Sequence, residues 1–164
     1  MTPDVPEIFK WLEQTPVAAS VRESLWQFPA IETVHLLGMA ALVGTITVLD
    51  LRLLGWAMPQ RRVSQVEARL IPWAGLGFGV QLVTGALLFS SEAVKIYGNP
   101  VFRLKMLLLL LAGIQALIFQ TMLSRKLPAW DERPSLPVIA KVMGLTSIVL
   151  WLGIVTAGRF IGFV

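Results

Sequence analysis

The chain has no cysteine and a single histidine in its 164 residues. The first absence excludes disulfides, thiolate metal sites and iron–sulfur clusters. The second excludes a bis-histidine haem within one copy, because His35 has no second imidazole to face it. Charge is also scarce, since Asp, Glu, Lys and Arg together make up 15%, against roughly 25% in an average soluble domain. What stands in its place is apolar: 55% of residues are hydrophobic, the mean hydropathy is +0.72, and the apolar residues come in runs. A soluble domain of this length cannot cover that much apolar surface, so the solvent implied is a lipid bilayer. The length suits one helix bundle and leaves no room for a soluble catalytic domain beside it. The net charge of +4 and pI near 10 are read as topology information and attraction to anionic lipid, not as nucleic-acid binding.

The chain opens Met1-Thr-Pro-Asp-Val-Pro-Glu7, acidic where a secretory signal is basic, and its first long apolar run begins only after Pro29. The first span is therefore expected to act as its own uncleaved insertion signal. A transmembrane helix needs about 20 mainly apolar residues, and four runs meet that need: 31–56, 70–89, 102–123 and 138–163. They are separated by polar or turn-forming segments around Pro59-Gln-Arg-Arg62, Tyr97-Gly-Asn-Pro100 and Lys126-Leu-Pro-Ala-Trp-Asp-Glu-Arg-Pro134. Connections this short force each helix to return beside its predecessor. The expected fold is all-α, an up-down four-helix membrane bundle over 30–164 preceded by an amphipathic interfacial segment over 1–29.

Within that leading segment, 6–13 and 19–28 each place apolar residues three or four apart with charges between them. Ser20 and Glu23 have the capping-box spacing that opens a helix, and Trp11 and Trp26 suit the headgroup region. The pattern predicts two short amphipathic helices on the outer membrane surface. Orientation follows from Lys and Arg. The first connection and its flanks carry Arg52, Arg61, Arg62 and Arg69, and the third carries Arg125, Lys126, Arg133 and Lys141. Positive-inside reasoning places both in the cytoplasm and both termini outside it. Arg103, Lys105 and Arg159 act against this bias.

In a bilayer, helices associate through close packing and a few polar contacts. Gly75, Gly77 and Gly79 in the second run, with the small-xxx-small pair Gly75/Gly79, are read as a packing surface, or less readily as one where a flat ligand meets backbone. Gly38 and Ala41 in the first run, and Gly144, Gly153 and Gly158 in the fourth, support the same account. In the leucine-rich third run Gln115 is expected to point inward as an interhelical hydrogen-bond partner. Asp50 and Arg52 read as an anchor for the cytoplasmic end of the first span.

An ionisable group inside a membrane span marks a functional-site hypothesis. The expected topology gathers Glu32 and His35 from the first span, Arg103 and Lys105 from the third and Arg159 from the fourth into one leaflet. Three readings of His35 stand open. It is a structural histidine bonded to Glu32 or to a neighbouring helix; or an axial haem ligand with Arg103, Lys105 or Arg159 near the propionates; or a proton-relay or transport residue. A haem here would take Lys105, Met39 or Met106 as its second ligand, keep an open position, or use a second protomer. A bare transition metal is poorly served by one histidine and one glutamate.

The residues Trp26-Gln-Phe-Pro29, Glu32-Thr-Val-His35-Leu-Leu-Gly38, Val43-Gly44 and Leu49-Asp-Leu-Arg52-Leu-Leu-Gly55, with Gly158-Arg-Phe-Ile-Gly162 near the end, resemble a family of small bacterial inner-membrane proteins with no assigned function. That likeness runs from about Ser20 onward and brings no activity with it. A looser similarity is to haem-associated four-helix membrane proteins, the J-type protoporphyrinogen oxidases and copper-resistance D-type proteins. It rests on the early histidine and glycines and on Phe102-Arg-Leu-Lys105-Met-Leu-Leu108. The chain departs from cytochrome-type relatives in lacking further histidines. On this similarity His35 is the expected ligand of a haem b and Lys105 an active-site basic residue. The expectation is a haem-b-associated redox or accessory protein of the bacterial inner membrane. The alternative is a non-redox transporter component or scaffold, either as a homo-oligomer or as a subunit of a membrane complex.

Overall fold

A computed structural model of the chain describes residues 5–133 and 135–163. The opening residues 1–4, and Pro134 at the close of the third expected connection, lie outside the described residues. Those described are mainly helical and contain no strand. In chain order the helices are α1 (Glu7–Glu13), α2 (Pro16–Glu23), α3 (Gln27–Leu54), α4 (Val63–Ser91), α5 (Ala93–Tyr97), α6 (Pro100–Ile118), α7 (Leu127–Asp131) and α8 (Val138–Phe160). A π-helical turn (Phe119–Leu123) and a 3-10 turn (Ser124–Lys126) carry α6 without a break into α7.

Four helical stretches are long and apolar enough to cross a membrane: Gln27–Leu54, Val63–Ser91, Pro100–Asp131 and Val138–Phe163. Their outward side chains are apolar as well, for example Leu37, Leu76, Leu82, Leu110, Leu117 and Leu152. This suggests a multi-pass membrane protein. The four stretches run alternately up and down, with α3 packed between α4 and α8 and α6 resting on α8.

Three ends differ from expectation. The second span starts at Val63, seven residues earlier than the apolar run, because Glu67 and Arg69 ride on a helix whose Val63 and Val66 are already buried. The third continues through Asp131, so that Lys126-Leu-Pro-Ala-Trp-Asp131 is helix and not connection. Pro128 falls within the first two positions of α7, where its missing N–H costs nothing, and Leu127 and Trp130 are buried there. The second leading helix begins at Pro16, not at Ser20. Thr15 caps it by accepting from the Ala18 N–H at 3.4 Å, whereas Ser20 lies mid-helix and bonds the Gln27 side chain.

The two ends of the bundle are closed differently. At one end, Leu53, Val63, Phe119, Leu127, Trp130 and Ala140 form part of an apolar cluster that joins α3, α4, α7 and α8. There the Asp131 carboxylate caps α4 from α7, accepting from the Val63 N–H at 2.6 Å, the Ser64 N–H at 3.3 Å and the Ser64 hydroxyl. At the other end α1 and α2 are docked and not free-lying. Phe9 stacks on Tyr97 at 4.4 Å and meets Phe89 edge-on, and Phe89 stacks on Phe102 at 5.3 Å. Glu13 accepts from the Val94 N–H at 2.9 Å and pairs with Arg22, while Ala18 and Val21 of α2 are buried.

Glycines set the helix spacing, though not all of those expected to. A Cβ at Gly77 would stand 2.8 Å from the Leu42 nitrogen and 3.0 Å from the Gly38 carbonyl oxygen, so only glycine allows α3 and α4 to approach this closely. A Cβ at Gly144 would lie 2.9 Å from the Asp50 carbonyl oxygen, which fixes α3 against α8 in the same way. Gly38 and Gly153 also face neighbouring side chains. Gly75 and Gly79, the pair with small-xxx-small spacing, face outward, and a Cβ added at either would meet nothing within 4 Å. The helical period turns Gly77 alone of the three toward α3. Ala41 is exposed as well.

Candidate functional site

His35 lies on α3 eight residues from the first residue of that helix, about 12 Å along its axis at 1.5 Å per residue. Its ring is half-buried and turned toward α4. Gly85 makes the room, since a Cβ there would come within 3.3 Å of the His35 Cε1. One turn further along α3, Gly38 leaves space for the Gln81 amide, which donates to the His35 carbonyl oxygen. The histidine is thus held by ring and by backbone, both times from α4.

The ring contact fixes a tautomer. His35 Nδ1 and Thr84 Oγ1 are 2.7 Å apart. The Thr84 hydroxyl also donates to the Val80 carbonyl at 2.6 Å. A hydroxyl has one hydrogen to give, so toward His35 the Thr84 oxygen is the acceptor and Nδ1 is the donor. The neutral ring therefore carries its hydrogen on Nδ1 and presents the lone pair of Nε2, which makes no hydrogen bond among the described residues. An imidazole tied at one nitrogen and open at the other is the arrangement of a metal-ligating or proton-accepting histidine.

Of the four residues expected beside it, one arrives. The Lys105 ammonium, on α6, lies within electrostatic reach of the His35 ring. It passes over α8 at Gly158, where a Cβ would be 3.5 Å from Nζ, and it has no ion-pair partner among the described residues. Arg103 is exposed and lies over the Tyr97 ring at 5.3 Å, with a hydrogen bond to the Tyr97 carbonyl. Arg159 is exposed over Phe163 at 5.9 Å. Glu32 is exposed, and the ring Nδ1 goes to Thr84 and not to its carboxylate. No hydrogen bond or ion pair joins Glu32, Arg103 or Arg159 to His35 among the described residues.

The donor set decides what could be held. Among the described residues no group of three His, Asp or Glu side chains is placed to bind a metal ion, so a bare ion, which needs about four protein ligands, does not fit. A haem brings four nitrogens of its own and asks the protein for one axial ligand, which the free Nε2 of His35 matches. Two surface grooves lie elsewhere. One of ≈ 250 Å³ is lined by Met58, Arg61 and Arg69 among others, and one of ≈ 300 Å³ by Lys10, Glu13 and Arg22 among others; neither includes His35 or Lys105.

Sequence reasoning missed three participants. Nothing in the sequence marks Thr84 or Gln81 in the second span, and only the facing geometry of α3 and α4 makes them the partners of His35. Asp50 reads as a helix-end anchor beside Arg52, yet the two neighbours diverge. Arg52 donates twice to the Arg61 carbonyl, at 2.9 and 2.6 Å, while Asp50 is 5% exposed and faces α8. Gln115 does point inward as expected, donating to the Met143 carbonyl at 2.7 Å.

Residues 26–164 match a family described as "Family of unknown function (DUF6644)". No curated protein and no solved structure matches the chain, so the looser likeness to haem-associated oxidases and copper-resistance proteins gains no support from known relatives.

Proposed function

The chain belongs to the DUF6644 family of unknown function, and from that premise we propose that it is a multi-pass protein of the bacterial inner membrane with a haem-b-associated redox or accessory role centred on His35. The single observation that carries this reading is the 2.7 Å contact of His35 Nδ1 with Thr84 Oγ1, from which the tautomer follows. Thr84 keeps the hydrogen on Nδ1, and Nε2 is left with its lone pair and no partner. His35 would hold the iron through Nε2, with Lys105 as the nearest cation for a propionate; Arg103 and Arg159, at the same end of the bundle, would serve at its rim. Haem b, when bound, supplies one-electron transfer at its iron. The chain's own part is to orient the imidazole from α4, through Thr84 on the ring and Gln81 on the backbone, and to exclude water by burying the site between apolar helices.

In this reading both termini are extracytoplasmic, because the connections rich in Lys and Arg lie at the other end of the bundle. The test is an absorption spectrum of the full chain purified in detergent after expression with adequate haem supply. A Soret band is expected, and His35→Ala should abolish it. A colourless protein that also fails to take up added haem sinks the reading.

A second reading, a non-redox scaffold or transporter subunit in a homo-oligomer or larger membrane complex, is favoured by one observation. Gly75 and Gly79 open an outward small-residue face on α4 that nothing among the described residues covers. Its signature would be a stable partner, or a second copy, co-purifying without a chromophore.

A further inference from the structure

We propose that Asp50 is a reversible proton-binding site in the interface of α3 and α8, with Ser147 and Gln115 as its polar surround. Asp50 stands fifteen residues beyond His35 on the same helix, about 22 Å away along the axis. The proposal is independent of any haem.

Four features converge on it. Asp50 is 5% exposed, and its Oδ2 is buried with no hydrogen-bond partner. Ser147, one turn beyond Gly144 on α8, lies near the same carboxyl. Gly144, one turn before Ser147, brings α8 onto the Asp50 backbone, so the carboxyl cannot swing away into open space. From α6, Gln115 donates to the carbonyl of Met143, the residue preceding Gly144, and its own Oε1 is the other buried side-chain oxygen left without a partner. Two unsatisfied acceptors therefore border one short stretch of α8. Buried acceptors in a native fold have donors, and what is missing here is a hydrogen.

No cation among the described residues supplies it. On α3, Arg52 is committed to the Arg61 carbonyl. On α8, Lys141 is exposed and Arg159 lies against Phe163. On α4, Glu67 is half-buried and Arg69 exposed; on α6, Arg103 and Lys105 are at the far end, and Arg125 and Lys126, in the turn that follows it, are exposed. None of these is ion-paired with Asp50 among the described residues. An unpaired carboxylate in such a setting neutralises itself by taking up a proton. A metal cation fits less well, since hard cations take about six oxygens and the helical carbonyls nearby are engaged in the backbone ladder. A proton needs only Oδ2. The step balances simply: the carboxylate and one proton give the acid, and release reverses it.

The test uses the full chain reconstituted in phosphatidylcholine vesicles and treated with dicyclohexylcarbodiimide, which adds to a protonated carboxyl in an apolar setting. The expected result is one adduct, mapped to Asp50 by mass spectrometry and absent in Asp50→Asn. Above its midpoint, labelling should slow about tenfold per pH unit. Should Asp50→Asn fail to fold, the unaltered protein still answers. A carboxylic-acid C=O infrared band that disappears on raising the pH, and whose midpoint moves in Ser147→Ala, supports the proposal. No adduct on Asp50 and no titrating acid band would overturn it. Protection of Asp50 by sodium at fixed pH would also overturn it, by making the occupant a metal cation.

Discussion

Thr84 accepts the Nδ1 hydrogen of His35 across 2.7 Å because its own hydroxyl hydrogen is already committed to the Val80 carbonyl. This one relay sets which nitrogen of the only histidine is open. If His35 holds a haem as proposed, Thr84→Val, similar in shape but unable to accept, weakens haem uptake by about 10- to 100-fold, while Thr84→Ser stays near the parent. A haem titration followed at the Soret band measures both. Equal affinities for Val and Ser would show that the relay does not orient the ligand.

Gly77 and its neighbours make a sharper packing test. Gly77→Leu should destabilise the bundle by about 1–3 kcal/mol through overpacking against the α3 backbone. Gly75→Leu and Gly79→Leu should leave the monomer unchanged, since both face open space. Denaturation in detergent separates the three, and a cost at Gly79 equal to that at Gly77 would contradict the packing described.

These glycines show what the sequence could and could not disclose. Four spans were legible because length and apolarity alone define them. The face each glycine turns inward was not, because three alternating glycines offer two registers, and only the approach of Leu42 and Gly38 selects Gly77. At the site, the meeting of His35 and Lys105 followed from up-down topology, which brings the start of the first span level with the start of the third. Thr84 stayed hidden because its role depends on rotation about the α4 axis. Asp50 was obscured by Arg52, since opposite charges two residues apart read as a pair until the helix sends them to different faces.

Gln115 should matter little to stability on its own. Its bond to the Met143 carbonyl is of a kind that averages about 0.6 kcal/mol in membrane proteins. Replacement by leucine also removes a buried oxygen that lacks a partner. Gln115→Leu is expected within about 1 kcal/mol of the parent in the same denaturation assay. A loss several times larger would mean that Gln115 has a structural duty beyond this one bond.

Asp131 should matter more. Its carboxylate satisfies two N–H groups at the start of α4 together with the Ser64 hydroxyl. Asp131→Ala should cost about 0.5–2 kcal/mol, the range for loss of a helix cap, whereas Glu132→Ala, at an exposed neighbour, should be neutral. Asp131→Asn should recover part of the loss, because its amide oxygen still accepts.

Val63 and Asp131 are 68 residues apart in the chain, and that separation gives the protein an order of assembly. When the ribosome has delivered the first two spans, the second still has two amide hydrogens at its leading edge that only water takes in place of Asp131. The acceptor emerges only after the third span has been threaded back. The opening helical pair is thus provisional until the turn before the last helix folds over it. A nascent chain halted short of residue 131 should hold that pair loosely enough for proteases to find the segment between Trp56 and Ser64.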